Sequence, residues 1–216
     1  MKILLVGSKG RMGQEMSKLL NEQNIQFVGI DIGDTVCENF CPDVILDFSC
    51  IGALEQNLKL SKQYKCPIVI ATTNHPKESI KKILQHSKSL PVFMSANFSV
   101  LFNLMLKISK NLGGNFDYVL TETHHKTKKD APSGSAKILI KNLRKNKVKP
   151  KVVCHRVGNV IGEHELKIFA PNESLTVCHT ALSRQVFCNG ALLACQFIIK
   201  KSNGFFGMED MICDCM

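Results

Sequence analysis

From residue 1 to about 96, short apolar runs alternate with longer amphipathic stretches, and this rhythm constrains the fold more than any other feature of the chain. The runs Lys2 to Val6, Gln26 to Asp31, Val44 to Phe48, Ile68 to Ala71 and Val92 to Ser95 read as strands. They are continuously apolar, as strands covered on both faces are. Helical patterns lie between them, at about Arg11 to Asn21, Gly52 to Tyr64 and Pro76 to Ser87, the last opened by proline at its first turn. Strands separated by helices of this length form βαβ units, so the spacing predicts a doubly wound parallel sheet.

The rhythm changes after residue 100. A helix from Leu101 to Leu112 carries Leu101, Leu104, Met105, Ile108 and Leu112 on one stripe and stops at Gly113-Gly114. Strands then predominate, at Tyr118 to Thr123, Lys151 to Arg156, His164 to Phe169 and Ser174 to His179, with one helix at about Ser135 to Asn146. An apolar helix returns from Arg184 to Ile199. The chain therefore divides into a parallel-sheet domain, residues 1–99 with 184–216, and an α+β domain with a mixed sheet, residues 100–183.

The 216 residues are 44% hydrophobic and 21% charged, which excludes disordered and fibrous classes. No apolar run approaches the roughly 20 residues a membrane helix needs, and a strand begins almost at Met1, so no membrane span or targeting peptide is expected. Ten cysteines follow no disulfide framework. Cys66, Cys178, Cys188 and Cys195 sit in apolar stretches as small hydrophobes, and reduced thiols of a cytoplasmic protein are expected. Cys213 and Cys215 read as part of a frayed tail rather than a metal pair, and no metal is expected. The net charge of +10 is spread over helical faces, a solvated-surface pattern that points away from nucleic acid and agrees with an anionic small-molecule substrate.

Gly7-Ser8-Lys9-Gly10-Arg11-Met12-Gly13 links the first strand to the first helix. Such a turn brings backbone N–H groups and the positive end of a helix dipole to a pyrophosphate. The Gly-x-x-Gly-x-x-Gly spacing departs from the commoner dinucleotide pattern, but Asp31 ends the next strand, where an acid accepts bonds from a ribose. A glycine-rich turn of a non-nucleotide α/β protein has the same letters. No cation directly follows Asp31 to clamp a 2′-phosphate, so NADH is favoured over NADPH. Ala71-Thr72-Thr73 and Ala96-Asn97-Phe98-Ser99 end later strands on the same side of the sheet, where ligands lie, although capping turns look alike.

The segment from Glu122 to Ala136 places His124, His125, Lys126 and Lys128 before a Pro132-Ser133-Gly134 turn that opens a helix. A helix start and a lysine make an anion site, and His or Lys can manage the proton that accompanies a hydride reduction. A lysine-rich surface loop has this composition too.

These residues closely resemble the 4-hydroxy-tetrahydrodipicolinate (dihydrodipicolinate) reductases of the diaminopimelate route to lysine. That family's pattern Glu-x-His-His-x-x-Lys-x-Asp-Ala-Pro-Ser-Gly-Thr-Ala is matched from Glu122 to Ala136 except for Ser135, which keeps the hydroxyl. Gly10 to Gly13, Leu46 to Ser49, Ala96 to Ser99, Arg156-x-Gly158, Gly162-x-His164 and Phe187-x-x-Gly190-Ala191 extend the likeness over nearly the whole chain. Ala71 and Asn74 stand where the family carries glycines, Thr180 departs from its His-Arg-Ala, and the segment between Asp31 and Val44 is short.

The resemblance implies a homotetrameric NAD(P)H-dependent reductase with His124 as proton donor or acceptor and Lys128 as proton donor. It implies that His125, Gly134 and Ser135 hold the carboxylates of a small dicarboxylate substrate, assisted by Ser133, Lys128 and Arg184. Gly7, Ser8, Lys9, Gly10, Arg11, Met12, Asp31, Ala71 to Thr73 and Ala96 to Ser99 would hold the cofactor. The expected architecture is a Rossmann-like domain plus a substrate and oligomerisation domain, one closing on the other to exclude water. Another NAD-dependent amino-acid dehydrogenase, or a non-catalytic NAD-binding protein, would share the scaffold.

Overall fold

The computed structural model describes residues 1–34, 36 and 39–215, the last by its backbone alone. The chain forms two compact units, Met1–Phe98 with Gln185–Met216, and Ser99–Arg184.

The first unit is built on a six-stranded sheet of β1 (Ile3–Val6), β2 (Phe27–Ile30), β3 (Val44–Asp47), β4 (Ile68–Ile70), β5 (Val92–Met94) and β10 (Phe205–Phe206). Its order is β10-β5-β4-β3-β1-β2 and every pairing is parallel. The central strands β1, β3 and β4 are buried along their whole length, which accounts for their unbroken runs of Ile, Leu and Val. Helices α1 (Arg11–Glu22), α2 (Leu54–Tyr64), α3 (Lys77–His86) and α6 (Gln185–Ile198) accompany the sheet. α2 and α3 bury Leu54, Leu58 and Ile83 against Leu4, Ile45, Ile68 and Ile70. The order reverses between β1 and β3, which places a ligand crevice beyond the carboxyl ends of those strands.

Two elements went unforeseen, the two-residue β10 and α7 (Met208–Cys215). The chain end is helical with Met208, Met211 and Ile212 buried, because their spacing lays an apolar stripe inward. This corrects the expectation of a frayed tail; Cys213 is exposed and the side chain of Cys215 lies outside the described residues.

The second unit folds around a four-stranded sheet of β6 (Asp117–His124), β7 (Lys151–Arg156), β8 (Gly162–Ala170) and β9 (Glu173–Ala181), ordered β7-β6-β8-β9. β6 and β7 are parallel and the other pairs antiparallel, so the sheet is mixed. α4 (Val100–Ser109) and α5 (Gly134–Lys145) pack Phe102, Met105, Leu139 and Leu143 onto Leu120 and Leu166 of one face. Strand alternation turns Cys178 to the opposite face, where it is exposed; it is no core hydrophobe, unlike buried Cys66, Cys188 and Cys195. No helix of the described residues is long and apolar enough to cross a membrane.

Candidate active site

The crevice of the first unit is a cleft of about 210 Å³ lined by Val6, Gly7 and Gly10 after β1, Ile30, Asp31 and Ile32 after β2, and Phe48, Ser49 and Cys50 after β3. Gly7 takes φ +85°, and a β-carbon there would stand 2.7 Å from the backbone of Phe48. A β-carbon on Gly13 would lie 2.0 Å from the Gly7 carbonyl oxygen. Both glycines thus let α1 begin tight against the strand ends. Gly10 caps α1 without a side-chain hydrogen bond, leaving the first N–H groups of the helix uncapped by side chains, as a pyrophosphate site needs. The Asp31 Oδ2 accepts from the Ser8 hydroxyl at 2.8 Å and the Lys9 N–H at 2.9 Å, which ties the glycine turn to the end of β2. Lys9 and Asp34 form an exposed ion pair at 3.1 Å. Arg11 is exposed and Met12 half-buried at the start of α1. These features fit a dinucleotide.

Beyond β4, the Thr72 hydroxyl meets the His75 Nε2 at 2.7 Å, and Thr73 is exposed. Asn74 adopts φ +62°, a left-handed conformation that asparagine tolerates in place of glycine, whereas Ala71 has no positive φ and needs none. Beyond β5, Ala96 is exposed and Asn97 half-buried, Phe98 packs on Phe93, and Ser99 is buried as the cap of α4.

The second unit concentrates its titratable groups at one level of its sheet. Register aligns Cys154, Glu122, His164 and His179 on β7, β6, β8 and β9. His124 follows two residues after Glu122 on the same buried face. Glu122 is fully buried, and its Oε1 accepts from Arg156 Nη2 at 2.7 Å and from the Ser133 N–H at 3.1 Å. Its Oε2 lies against Nδ1 of His124. Burial raises the Glu122 carboxyl, but the bonds from Arg156, Cys154 and Ser133 outweigh it and hold the group down to about 2. Burial lowers His124, the Glu122 charge opposes that, and Lys128 and Arg156 reinforce it, for a net shift downward.

Ser133 caps α5 by accepting from the Ala136 N–H, and its hydroxyl also reaches the His164 Nε2 at 3.3 Å. Ser99 does the same for α4 and the His179 Nε2, at 2.9 Å. Lys128 reaches Asp130 at 2.8 Å, and Asp130 also accepts from the Gly134 N–H. Two groups named for the substrate carboxylate therefore hold a carboxylate of the chain itself. His125 bonds Thr127 at 2.8 Å, Ser135 is half-buried in the first turn of α5, and Arg184 is exposed at the end of the unit.

Sequence reasoning gave no role to Glu122, Arg156, His164 or His179. The signal was present in the alternation Glu122-x-His124 and in Gly162-x-His164, which put each pair on one strand face. Ligand atoms of Glu122, His124 and His164 lie within 4.8 Å of one another, a spacing a metal could use. The Arg156 guanidinium on the same carboxylate opposes a resident cation.

Burial, with the like charge of His124, pushes His164 down to about 3. In the unfolded chain a histidine takes up its proton near 6.5. Between those values the unfolded state binds more protons, so stability falls as pH falls; Glu122 adds the same sign between 4.5 and about 2. The urea midpoint is expected to decline steadily below pH 6.5 in the wild type. In His164→Gln it should start lower at pH 7 and decline less between pH 6 and pH 4; equal slopes would refute the assignment.

A parallel sheet with an uncapped glycine turn, and a second unit carrying buried titratable groups, fit the class of nucleotide-dependent oxidoreductases. Comparison with known proteins makes the class specific. Residues 23–98 match the family model for the N-terminus of dihydrodipicolinate reductase, and residues 98–212 that for its C-terminus. The chain is 36% identical to the 4-hydroxy-tetrahydrodipicolinate reductase of Clostridium novyi and 35% identical to that of Thermosipho africanus, over 98% of each chain in both cases. A dipicolinate-bound dihydrodipicolinate reductase from Paenisporosarcina superposes with a TM-score of 0.82 at 20% identity, over 97% of this chain and 98% of that one. The chain belongs to the 4-hydroxy-tetrahydrodipicolinate reductase family, oxidoreductases of the diaminopimelate route to lysine.

Proposed function

We propose that the first unit holds NADH or NADPH, that the second holds the substrate, and that His124 and Lys128 manage the proton while 4-hydroxy-tetrahydrodipicolinate is reduced to tetrahydrodipicolinate. When bound, the nicotinamide supplies the hydride; the oxidised cofactor and one water are the other products. The observation that carries this reading is His124 at the carboxyl end of β6, backed by a buried carboxylate and within the field of Lys128. A histidine held below its ordinary value is largely neutral at pH 7, and its protonated form is a correspondingly stronger proton donor. Lys128 supplies positive charge for a substrate carboxylate together with His125, the first turn of α5 at Gly134 and Ser135, and Arg184. Ser133 supports that turn from beneath.

Asp31 at the end of β2 and the pairing of Lys9 with Asp34 support a preference for NADH, since the acid suits a free ribose hydroxyl and the pair diverts a cation from a 2′-phosphate. The outer face of the mixed sheet, with exposed Thr176, Cys178 and Thr180, supports a homotetramer formed through that sheet. The protein works in the cytoplasm on a small dicarboxylate.

The test mixes purified protein, reduced cofactor and freshly made dihydrodipicolinate synthase product, and follows loss of the reduced-cofactor absorbance. Oxidation of NADH at a lower KM than NADPH is expected. Absence of oxidation with either cofactor would reject the reaction, and turnover of an amino acid with NAD instead would favour a dehydrogenase.

A further inference from the structure

Glu122 is buried where a carboxylate is tolerated only with donors on both oxygens. Oε1 is provided for by Arg156 and the Ser133 N–H, with the Cys154 thiol alongside the carboxylate. Oε2 and the Nδ1 of His124 face each other, both buried, and among the described residues neither has a conventional hydrogen bond to anything else. A proton on Nδ1 satisfies both atoms at once. It leaves Nε2 as the nitrogen with a lone pair or a transferable proton. Nε2 lies over Gly162, where a β-carbon would stand 3.1 Å away, so the glycine leaves that edge uncrowded. His164 stands edge-on to His124 at 5.3 Å, with its own Nε2 at Ser133.

We infer that Glu122 is a positioning residue for His124: its Oε2 fixes the proton on Nδ1 and turns Nε2 toward the substrate, while Arg156 and Ser133 lock its Oε1. This rests on the reading of His124 as the proton carrier. Glu122 touches no substrate itself and works only through the imidazole. The groups facing His124 are Glu122 on its own strand, Arg156 from β7, His164 from β8 and Lys128 from the loop after β6. Glu122 is the single anion in that set, so neutralising it leaves the ring among cations and burial, which lower its proton affinity.

Histidine nitrogen resonances, assigned by difference from His124→Gln, report the tautomer directly. The wild-type ring, once neutral, is expected to carry its proton on Nδ1. In Glu122→Gln the ring is expected to shift toward the Nε2-protonated form, and the alkaline limb of kcat to move at least one pH unit lower, about a tenfold loss of rate at high pH, with KM for NADH unchanged. Glu122→Asp, which keeps the charge, should leave that limb near its wild-type position. A wild-type ring protonated on Nε2 would overturn the proposal without any variant. So would a Glu122→Gln enzyme that keeps both the wild-type tautomer and the wild-type limb. Full turnover by His124→Gln would instead bring down the proton role proposed above, which the tautomer measurement does not depend on.

Discussion

A His124→Gln variant is expected to lose about 10²- to 10⁴-fold in kcat, the range a positioned proton donor contributes, while binding NADH as the wild type does. The separation follows from where the groups sit: the glycine turn and Asp31 belong to the first unit, and His124 belongs to the second. Glutamine keeps a polar group of similar reach but cannot change its protonation near neutral pH. Lys128→Ala is expected to lower kcat and raise KM for the substrate together, because the same ammonium is proposed to carry both a proton and a charge for a carboxylate. In the double variant the losses should not add, since the two residues are proposed to serve one proton transfer. Stopped-flow measurement of hydride transfer and NADH fluorescence titration check both halves. Wild-type transfer rates in either single variant would remove that residue from the reaction.

Gly13→Ala should produce the second largest effect, and by a different route. The added methyl would lie 2.0 Å from the Gly7 oxygen and 2.7 Å from the Ser8 Cα, both backbone atoms that no rotamer change can move. Helix α1 must therefore shift away from β1, carrying its first N–H groups off the position proposed for the pyrophosphate. Overpacking of this kind costs about 1–3 kcal/mol, divided between the fold and the bound state, so NADH should bind more weakly by up to about a hundredfold. A lower Tm is expected as well. Calorimetric titration with NADH and a melting curve measure the two effects. Unchanged affinity would show that the start of α1 does not hold the cofactor.

The parallel-sheet domain was legible in the sequence because fully buried strands write themselves as unbroken runs such as Ile3 to Val6 and Val44 to Leu46, with helices of regular length between. The mixed second sheet was legible in outline, since β6 and β8 alternate buried and half-buried positions. The chain end was not. β10 is too short to show a period, and α7 ends in cysteines and an acid that look like tail composition. In the site, the letters of the His-His-x-x-Lys segment stood out, whereas its supports did not. Glu122, His164 and His179 are far apart in the chain and meet only through strand register, which a single sequence does not state. Arg156 reaches Glu122 from the end of β7 for the same reason. Cys178 misled because an apolar neighbourhood along a strand does not say which face a side chain takes.

The two serine caps give the second unit a joinery of its own. Ser99 and Ser133 each bridge a helix N–H and a histidine ring rooted in the sheet, so α4 and α5 begin at fixed heights over β9 and β8. The turn that carries Gly134 and Ser135 is thereby referenced to the strands and not to the loops on either side. Shortening a connection elsewhere on the surface leaves that reference, and with it the start of α5, untouched.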